Sequence, residues 1–347
     1  MAQDLNERKR RLLRTVVQEY IQTAEPVGSR AISRRYDMNL SSATIRNEMA
    51  DLEEMGFLEQ PHTSAGRIPS QKGYRFYVDN LMEEKPLTNE EEEIINRSII
   101  KANEVEKIVS EASQVLSVVA RHTSLVQGPQ FRKSSFYQMR ILPLDEKKAL
   151  VVLITTNGFV KNKVIELPQS LSKGELQQVV RYLNNKLYGL TIDQVTDSLV
   201  KELKRDLFRR MEILEQAFML LEESLTEDEK VRVFLGGTTN ILNQPEFKDV
   251  EKVKNFLNLF EQEELLNFLL QCDDQPVQEE GDFVEIKIGS ENQLKEVQEC
   301  SLITSTFSIG KRNLGKIGVL GPTRMDYPRI VAVVRNLAHK LNQVLDI

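Results

Sequence analysis

In the stretch "SSATIRNEMADLEEMG", Ser41 to Gly56, an arginine and an asparagine stand side by side at Arg46 and Asn47. A guanidinium can fork onto guanine or hold a phosphate, and a carboxamide can pair with adenine across the major groove. That chemistry needs both side chains on an open face. With Ile45 set at 0° and about 100° per residue, Met49 and Leu52 fall within about 40° of it, so these three form the buried stripe. Ala43, Arg46, Asn47 and Ala50 then project outward with Thr44 at the flank, and the two alanines allow close approach to a surface. Ser41 or Ser42 offers a hydroxyl to the free N–H groups at the helix start, which also suit phosphate. Glu53 and Glu54, at the far end, repel a polyanion and tilt contact toward the N-terminal half, where recognition helices dock.

A solvated amphipathic helix would show the same alternation of charge, but the residues that follow favour duplex recognition. "HTSAGR" puts His62, Thr63, Ser64 and Arg67 at a small turn suited to the phosphate backbone or a minor groove. Arg30, Arg34 and Arg35 precede the helix, and Arg8, Lys9, Arg10 and Arg11 add positive charge further upstream. Other chemistry finds little support. "FLGGTTN" lacks the G-x-x-x-x-G-K-[ST] spacing and reads as a tight turn with Thr238 or Thr239 as a helix cap. His62, His122 and His339 have no metal-ligand spacing, and the paired acids of "NEEEEI" and "TEDEK" fit solvated helix starts. "GPTRMDYPR" reads as a capped entry to a terminal helix, the other reading being a ligand or partner-protein contact at Arg324. No catalytic constellation and no cofactor are expected.

The elements that must position Arg46 and Asn47 follow from periodicity. Leu12, Leu13, Val16, Val17, Tyr20 and Ile21 mark one face of a first helix from Asn6. Pro26 and Gly28 interrupt it, and Ser29 can cap a short second helix through Tyr36. The third helix starts at Ser41 or Ser42, and "FLEQPHTSAGRIPS" gives two short extended segments around a turn, with Pro61 and Pro69 favouring edges. Three helices and a hairpin are the order of a winged helix-turn-helix. After a polar break at 81–93, a helical stripe of Ile108, Ala112, Val115 and Val119 continues to about Arg121, to be packed on a body or on a partner chain. An Asn-Gly hairpin follows in "KALVVLITTNGFVKNKVIELP". Helical patterns at roughly 172–187 and 197–224, a strand "VRVFL", and helices through about 271 come next. Strand-like runs in "FVEIKIG", "SLITSTFSIG" and "KIGVLGP" precede a last helix from about Tyr327 to Leu345. Strands bracketing a helical middle make an α+β domain with an insertion.

The 347 residues suffice for two or three domains, and 40% apolar residues can fill ordinary cores. The net charge is −6, yet residues 1–80 hold 12 Lys/Arg against 11 Asp/Glu, a net of +1, leaving −7 for residues 81–347. Whole-chain charge thus hides a mildly basic head on an acidic body. Cys272 and Cys300 have no CxxC spacing and support neither a zinc site nor a disulfide framework. With no leader-like apolar region and no run approaching the ~18 residues of a membrane span, a cytoplasmic protein without membrane contact is expected.

"EPVGSRAIS", "SSATIRNEMADLEEMGFLEQPHTSAGRIPSQKGYRFYVD", "LGGTTNILNQPEF", "IGSENQ" and "LGKIGVLGPTRMDYPR" closely resemble the HrcA family of heat-inducible transcription repressors, in the family's order along nearly the whole chain. The resemblance implies a homodimer that binds an inverted-repeat operator in double-stranded DNA upstream of chaperone operons, kept competent by the chaperonin. It also implies an N-terminal winged helix, a GAF-like domain and a dimerising domain inserted into that domain. Mapped onto this sequence, the parts are a winged helix at 1–80, a linker and connecting helix at 81–120, a GAF-like domain at 121–195 and 281–347, and the insertion at 196–280. The recognition helix maps to Ser41–Met55 and the wing to Phe57–Pro69. A bifunctional enzyme would need a Gly-rich nucleotide loop that is not found. The other alternative is a metabolite-responsive winged-helix regulator whose GAF-like domain senses a ligand.

Overall fold

The structure is a computed structural model and describes residues 5–36, 40–62, 65–99, 105–128, 134–145, 147–156, 160–166, 173–191, 194–195, 231–270, 284–309 and 312–345. The chain divides into two compact units. One holds Met1–Lys101, Ile108–Gln127 and Val233–Ile347; the other holds Ala102–Lys107 and Gly128–Arg232.

In the first unit, the Asn6 side chain accepts the Lys9 N–H at 2.9 Å and opens α1 (Glu7–Thr23), which buries Leu12, Leu13, Val16 and Val17. Helix α2 (Ser29–Arg35) starts from Gly28; Ser29 is its first residue and no side chain caps it, unlike the expected Ser29 cap. Helix α3 (Ser42–Glu54) is capped by Ser41, whose Oγ accepts the Thr44 N–H at 3.1 Å, and it buries Ile45, Met49 and Leu52. Strands β1 (Leu58–Glu59) and β2 (Ile68–Pro69) pair antiparallel. Helix α4 (Gln71–Asn80) follows directly, capped by Ser70 and burying Tyr74 and Tyr77; the serine and the i, i+3 tyrosines were its signals. The expected helical stretch to Arg121 is two helices, α5 (Asn89–Ser98) and α6 (Val105–Ala120), because Ile99 leaves helical geometry at φ −97, ψ 85. Ile108, Ala112, Val115 and Val119 are buried within this chain, so the body takes the stripe.

After β3 (Thr123–Gln127) the chain enters the second unit with β4 (Phe136–Pro143), β5 (Lys148–Thr155), β6 (Val160–Glu166) and α7 (Lys173–Leu187). It returns through β7 (Val233–Gly236), α8 (Val250–Phe260), α9 (Glu263–Leu270), β8 (Val284–Ile288), β9 (Cys300–Ile309), β10 (Arg312–Pro322) and α10 (Tyr327–Leu345). The first unit's sheet runs β7-β3-β10-β9-β8, antiparallel throughout. Helices α6 and α10 meet one face, where Ser124 Oγ donates to Ser113 O at 2.6 Å and Ser301 and Tyr327 share a 2.7 Å hydroxyl bond. On the other face, Phe256 and Leu259 of α8 and Leu266, Leu269 and Leu270 of α9 pack with Leu125, Leu302 and Leu320. Gly237, at φ 59, turns the chain out of β7, and neither Thr238 nor Thr239 supplies the expected cap. Instead Asn240 donates to Ser117 O and His122 O at 3.2 and 3.1 Å.

The second unit is the antiparallel sheet β4-β5-β6 with α7 against β4, where the Asn184 side chain bonds the Met139 backbone in both directions. The domain limits therefore differ from those expected. Residues 136–187 leave the first unit's sheet, whereas β7, α8 and α9 complete its edge and core. Pairing of β7 with β3, far apart in sequence, decides membership. Of the stretch expected as linker and connecting helix, residues 81–99 and 108–120 fall in the first unit. The expected helix at 197–224 lies outside the described residues, as do the expected Asn-Gly turn and residues 310–311. Among the described residues no helix is long and apolar enough to cross a membrane.

Candidate nucleic-acid interface

Ala43, Arg46, Asn47 and Ala50 are exposed in one row on α3, opposite the buried Ile45, Met49 and Leu52. Thr44 and Ser42 are half-buried. Ser41 is exposed, but its hydroxyl is held by the cap and by a 2.9 Å contact with the Thr44 hydroxyl. Helix α2 packs on α3 and leaves Arg30 and Arg34 exposed. Among the described residues, none of Arg30, Arg34 and Arg46 makes an ion pair. Among the described residues, then, Arg46 stands uncompensated on this face and Arg30 and Arg34 on the helix packed against α3, groups of the kind that phosphate positioning and base reading require.

Arg8, Lys9, Arg10 and Arg35 are spent inside the head. Arg8 reaches Glu48 at 3.4 Å, and Lys9 bridges Glu48 and Asp51 at 3.3 and 2.8 Å. Arg10 Nε donates to Leu5 O at 2.8 Å. Arg35 pairs with the buried Glu19, whose second oxygen accepts the Tyr36 hydroxyl at 2.8 Å. The expected positive field from the start of α1 is correspondingly reduced, while the acids of α3 are partly neutralised by their own neighbours. Sequence inspection missed Glu19; its only local signal was an acid inside an apolar stripe.

Arg67 lies at the base of the hairpin and not at its tip. Its N–H and carbonyl each bond Val27 at 2.9 Å, and its guanidinium meets Glu53 at 2.7 Å, pinning the hairpin to the distal end of α3. A Cβ on Gly66 would stand 2.4 Å from Val27 O, so only glycine lets the hairpin cross the α1–α2 connection. His62 is exposed near the tip, where its carbonyl accepts the Ala65 N–H at 2.9 Å. Thr63 and Ser64 lie outside the described residues. Lys72, also missed, donates to Met55 O at 2.7 Å and sits 4.5 Å over the Phe57 ring, closing the end of α3 against α4. Among the described residues no three His, Cys, Asp or Glu side chains are grouped to hold a metal.

The model of the HrcA protein C-terminal domain matches residues 106–331. The heat-inducible transcription repressor HrcA of Natranaerobius thermophilus is 47% identical over 344 residues, covering 99% of this chain and 97% of its own length. That of Pelotomaculum thermopropionicum is 44% identical over 343 residues, with the same coverage. The chain belongs to the HrcA family of heat-inducible transcription repressors. These HrcA relatives are repressors and not enzymes. A solved structure known only as a hypothetical protein shares the fold, with a TM-score of 0.60 at 24% identity over 99% of each chain. The HrcA motif "GPTRMDYPR" is used internally in this chain, since Arg324 is bonded to Glu246, Gln244 and the carbonyl of Ile21.

Proposed function

We propose that this chain is a homodimeric, cytoplasmic winged-helix repressor that binds an inverted-repeat operator of chaperone genes. The carrying observation is the exposed Ala43, Arg46, Asn47 and Ala50 row on a helix anchored by Ile45, Met49 and Leu52. In this reading α3 enters the major groove N-terminal half first. Arg46 and Asn47 read bases, Arg30 and Arg34 hold phosphate, and Ser42, Ala43 and Thr44 meet the groove edge. Ser41 sets the helix start, and the hairpin with His62, Thr63 and Ser64 is the wing. Arg67 holds that wing and does not touch DNA. An inverted repeat calls for a two-fold protein, because each subunit presents the same helix to one half-site.

The five-stranded sheet with helices on both faces supports a GAF-like body. The second unit, residues 102–107 and 128–232, is then the dimerising insertion, a role supported by its separate core and by the exposure of Leu142, Val160 and Val164. Chaperonin control enters through population: if only part of the free dimer is binding-competent, loss of chaperonin lowers apparent affinity by that fraction. A gel-shift titration on the inverted repeat, with and without chaperonin and at several salt concentrations, tests the whole reading. Equal binding in both arms at growth and heat-shock temperatures removes the chaperonin from it. The metabolite-sensing alternative has its own readout: strong thermal stabilisation by a small molecule would favour it.

A further inference from the structure

Two bonded regions join the DNA-facing head to the sheet within the first unit. At one, α4 runs beside the edge strand β8: Arg75 donates to Ile286 O at 2.6 Å and pairs with Glu291. Gln71 donates to Gln298 O at 3.2 Å and accepts the Ser290 N–H at 2.9 Å. At the other, Arg324 leaves the end of β10, its side chain only 12% exposed. Its Nη1 donates to Ile21 O at 2.7 Å, and its Nε and Nη2 fork onto the Glu246 carboxylate at 2.6 and 3.4 Å. Ile21 is among the last four residues of α1, whose carbonyls have no partner inside the helix. A body arginine therefore satisfies an orphan carbonyl of the head's first helix and complements the negative end of its dipole. Glu246, from a third segment, accepts from two nitrogens of the planar guanidinium and so fixes its orientation. Between the two regions the Tyr74 and Tyr327 rings stand 5.9 Å apart, with Tyr327 hydrogen-bonded to Ser301 and to Thr323 O.

None of these groups lies on α2 or on the exposed row of α3, so a docked head still presents Arg30, Arg34, Arg46 and Asn47. We propose that Arg324 and Glu246 form the joint through which the body fixes the angle of the head, a positioning role in operator binding that involves no contact with DNA. The inference rests on the reading of α3 as the DNA-facing helix and of the protein as a dimer. Its physics is that of bivalent binding. Once one head is seated, the second binds intramolecularly, with an effective concentration that depends on how closely its orientation matches the facing half-site. A loosened joint spreads that orientation and lowers the advantage of two half-sites over one, while each head keeps its own affinity.

The test uses the full chain and two probes: a duplex that the unaltered chain selects from a random pool, and the same duplex with one half-site scrambled. Arg324→Ala is expected to weaken binding to the two-site duplex at least tenfold and to change single-site binding less than twofold. Glu246→Gln, which keeps the side chain's shape while removing its charge, moves two-site binding in the same direction by a smaller factor. Unchanged two-site affinity in both variants overturns the joint. So does a parallel loss on both probes, which would mean that Arg324 only keeps the head folded. A native chain that binds the two probes equally also overturns it, because there is then no bivalent advantage to lose. The double variant Arg46→Ala, Asn47→Ala separates the two ideas. It should weaken both probes, and if it weakens neither, the reading of α3 fails while the two-site to single-site ratio still judges the joint.

Discussion

At the residue scale, the division between exposed and spent side chains decides what each substitution does. Arg46→Ala and Asn47→Ala remove exposed groups that pack on nothing, so thermal stability should stay within about 0.5 kcal/mol. Operator affinity should fall by roughly 1–3 kcal/mol for each side chain that makes a good hydrogen-bonded pairing with a base, read by titration on matched and mismatched duplexes. Unaltered affinity in both variants would sink the assignment of α3. His122 offers a different test. Burial, with Arg324 and then Arg329 nearby, lowers its pKa to about 4, partly countered by Glu246. Its neutral form is the one the fold accepts. Stability from this group is full above the unfolded pKa near 6.5 and is lost as pH falls toward 4, by as much as about 3 kcal/mol. Denaturation midpoints across that window should therefore drop less steeply in His122→Gln than in the native chain, and parallel slopes would show that the imidazole is not responsible.

At the element scale, α3 depends on a cap at one end and a brace at the other. Ser41→Ala removes the acceptor for the Thr44 N–H and should cost about 1 kcal/mol of head stability. Because in the proposed docking that cap orders the helix start facing phosphate, the same variant should weaken operator binding modestly; hydrogen exchange at residues 42–45 would show the fraying directly. The brace is the hairpin. Gly66→Ala drives a Cβ against the Val27 carbonyl, a clash with backbone that cannot rotate away, and should cost about 1–3 kcal/mol by forcing the hairpin outward. An alanine variant with native melting and native operator affinity would show that the close approach is not needed.

At the scale of the whole molecule, charge distribution governs how the protein finds DNA. An acidic body, with a head whose Arg30, Arg34 and Arg46 make no ion pair among the described residues, restricts attraction to the head and limits non-specific binding. Each of Arg30→Ala, Arg34→Ala and Arg46→Ala should lower the slope of log affinity against log salt by about 0.9 if its guanidinium displaces one counterion from duplex DNA. A residue that leaves the slope unaltered makes no phosphate contact. Residues 1–80 are bonded to the first unit's sheet through α4 and Arg324, so head orientation belongs to the body's stability as well as to its own.

What this sequence determined by itself was whatever repeats within a few residues. The face of α3, the stripe of α1, the β5–β6 hairpin and the last helix all follow from 3.6- or 2-residue periodicity and from caps, which act over one turn. Long motifs carried the family. Tertiary structure alone decided which charges remain free, because Arg8 meets Glu48 from 40 positions away and Arg324 meets Ile21 across 303. It also decided that Arg67 braces the hairpin instead of reaching from it, that α4 runs against β8, and that β7 joins the sheet that β4, β5 and β6 do not. Ion pairs and strand pairing are settled by which surfaces meet after the chain has folded back, and neither leaves a local periodicity to read.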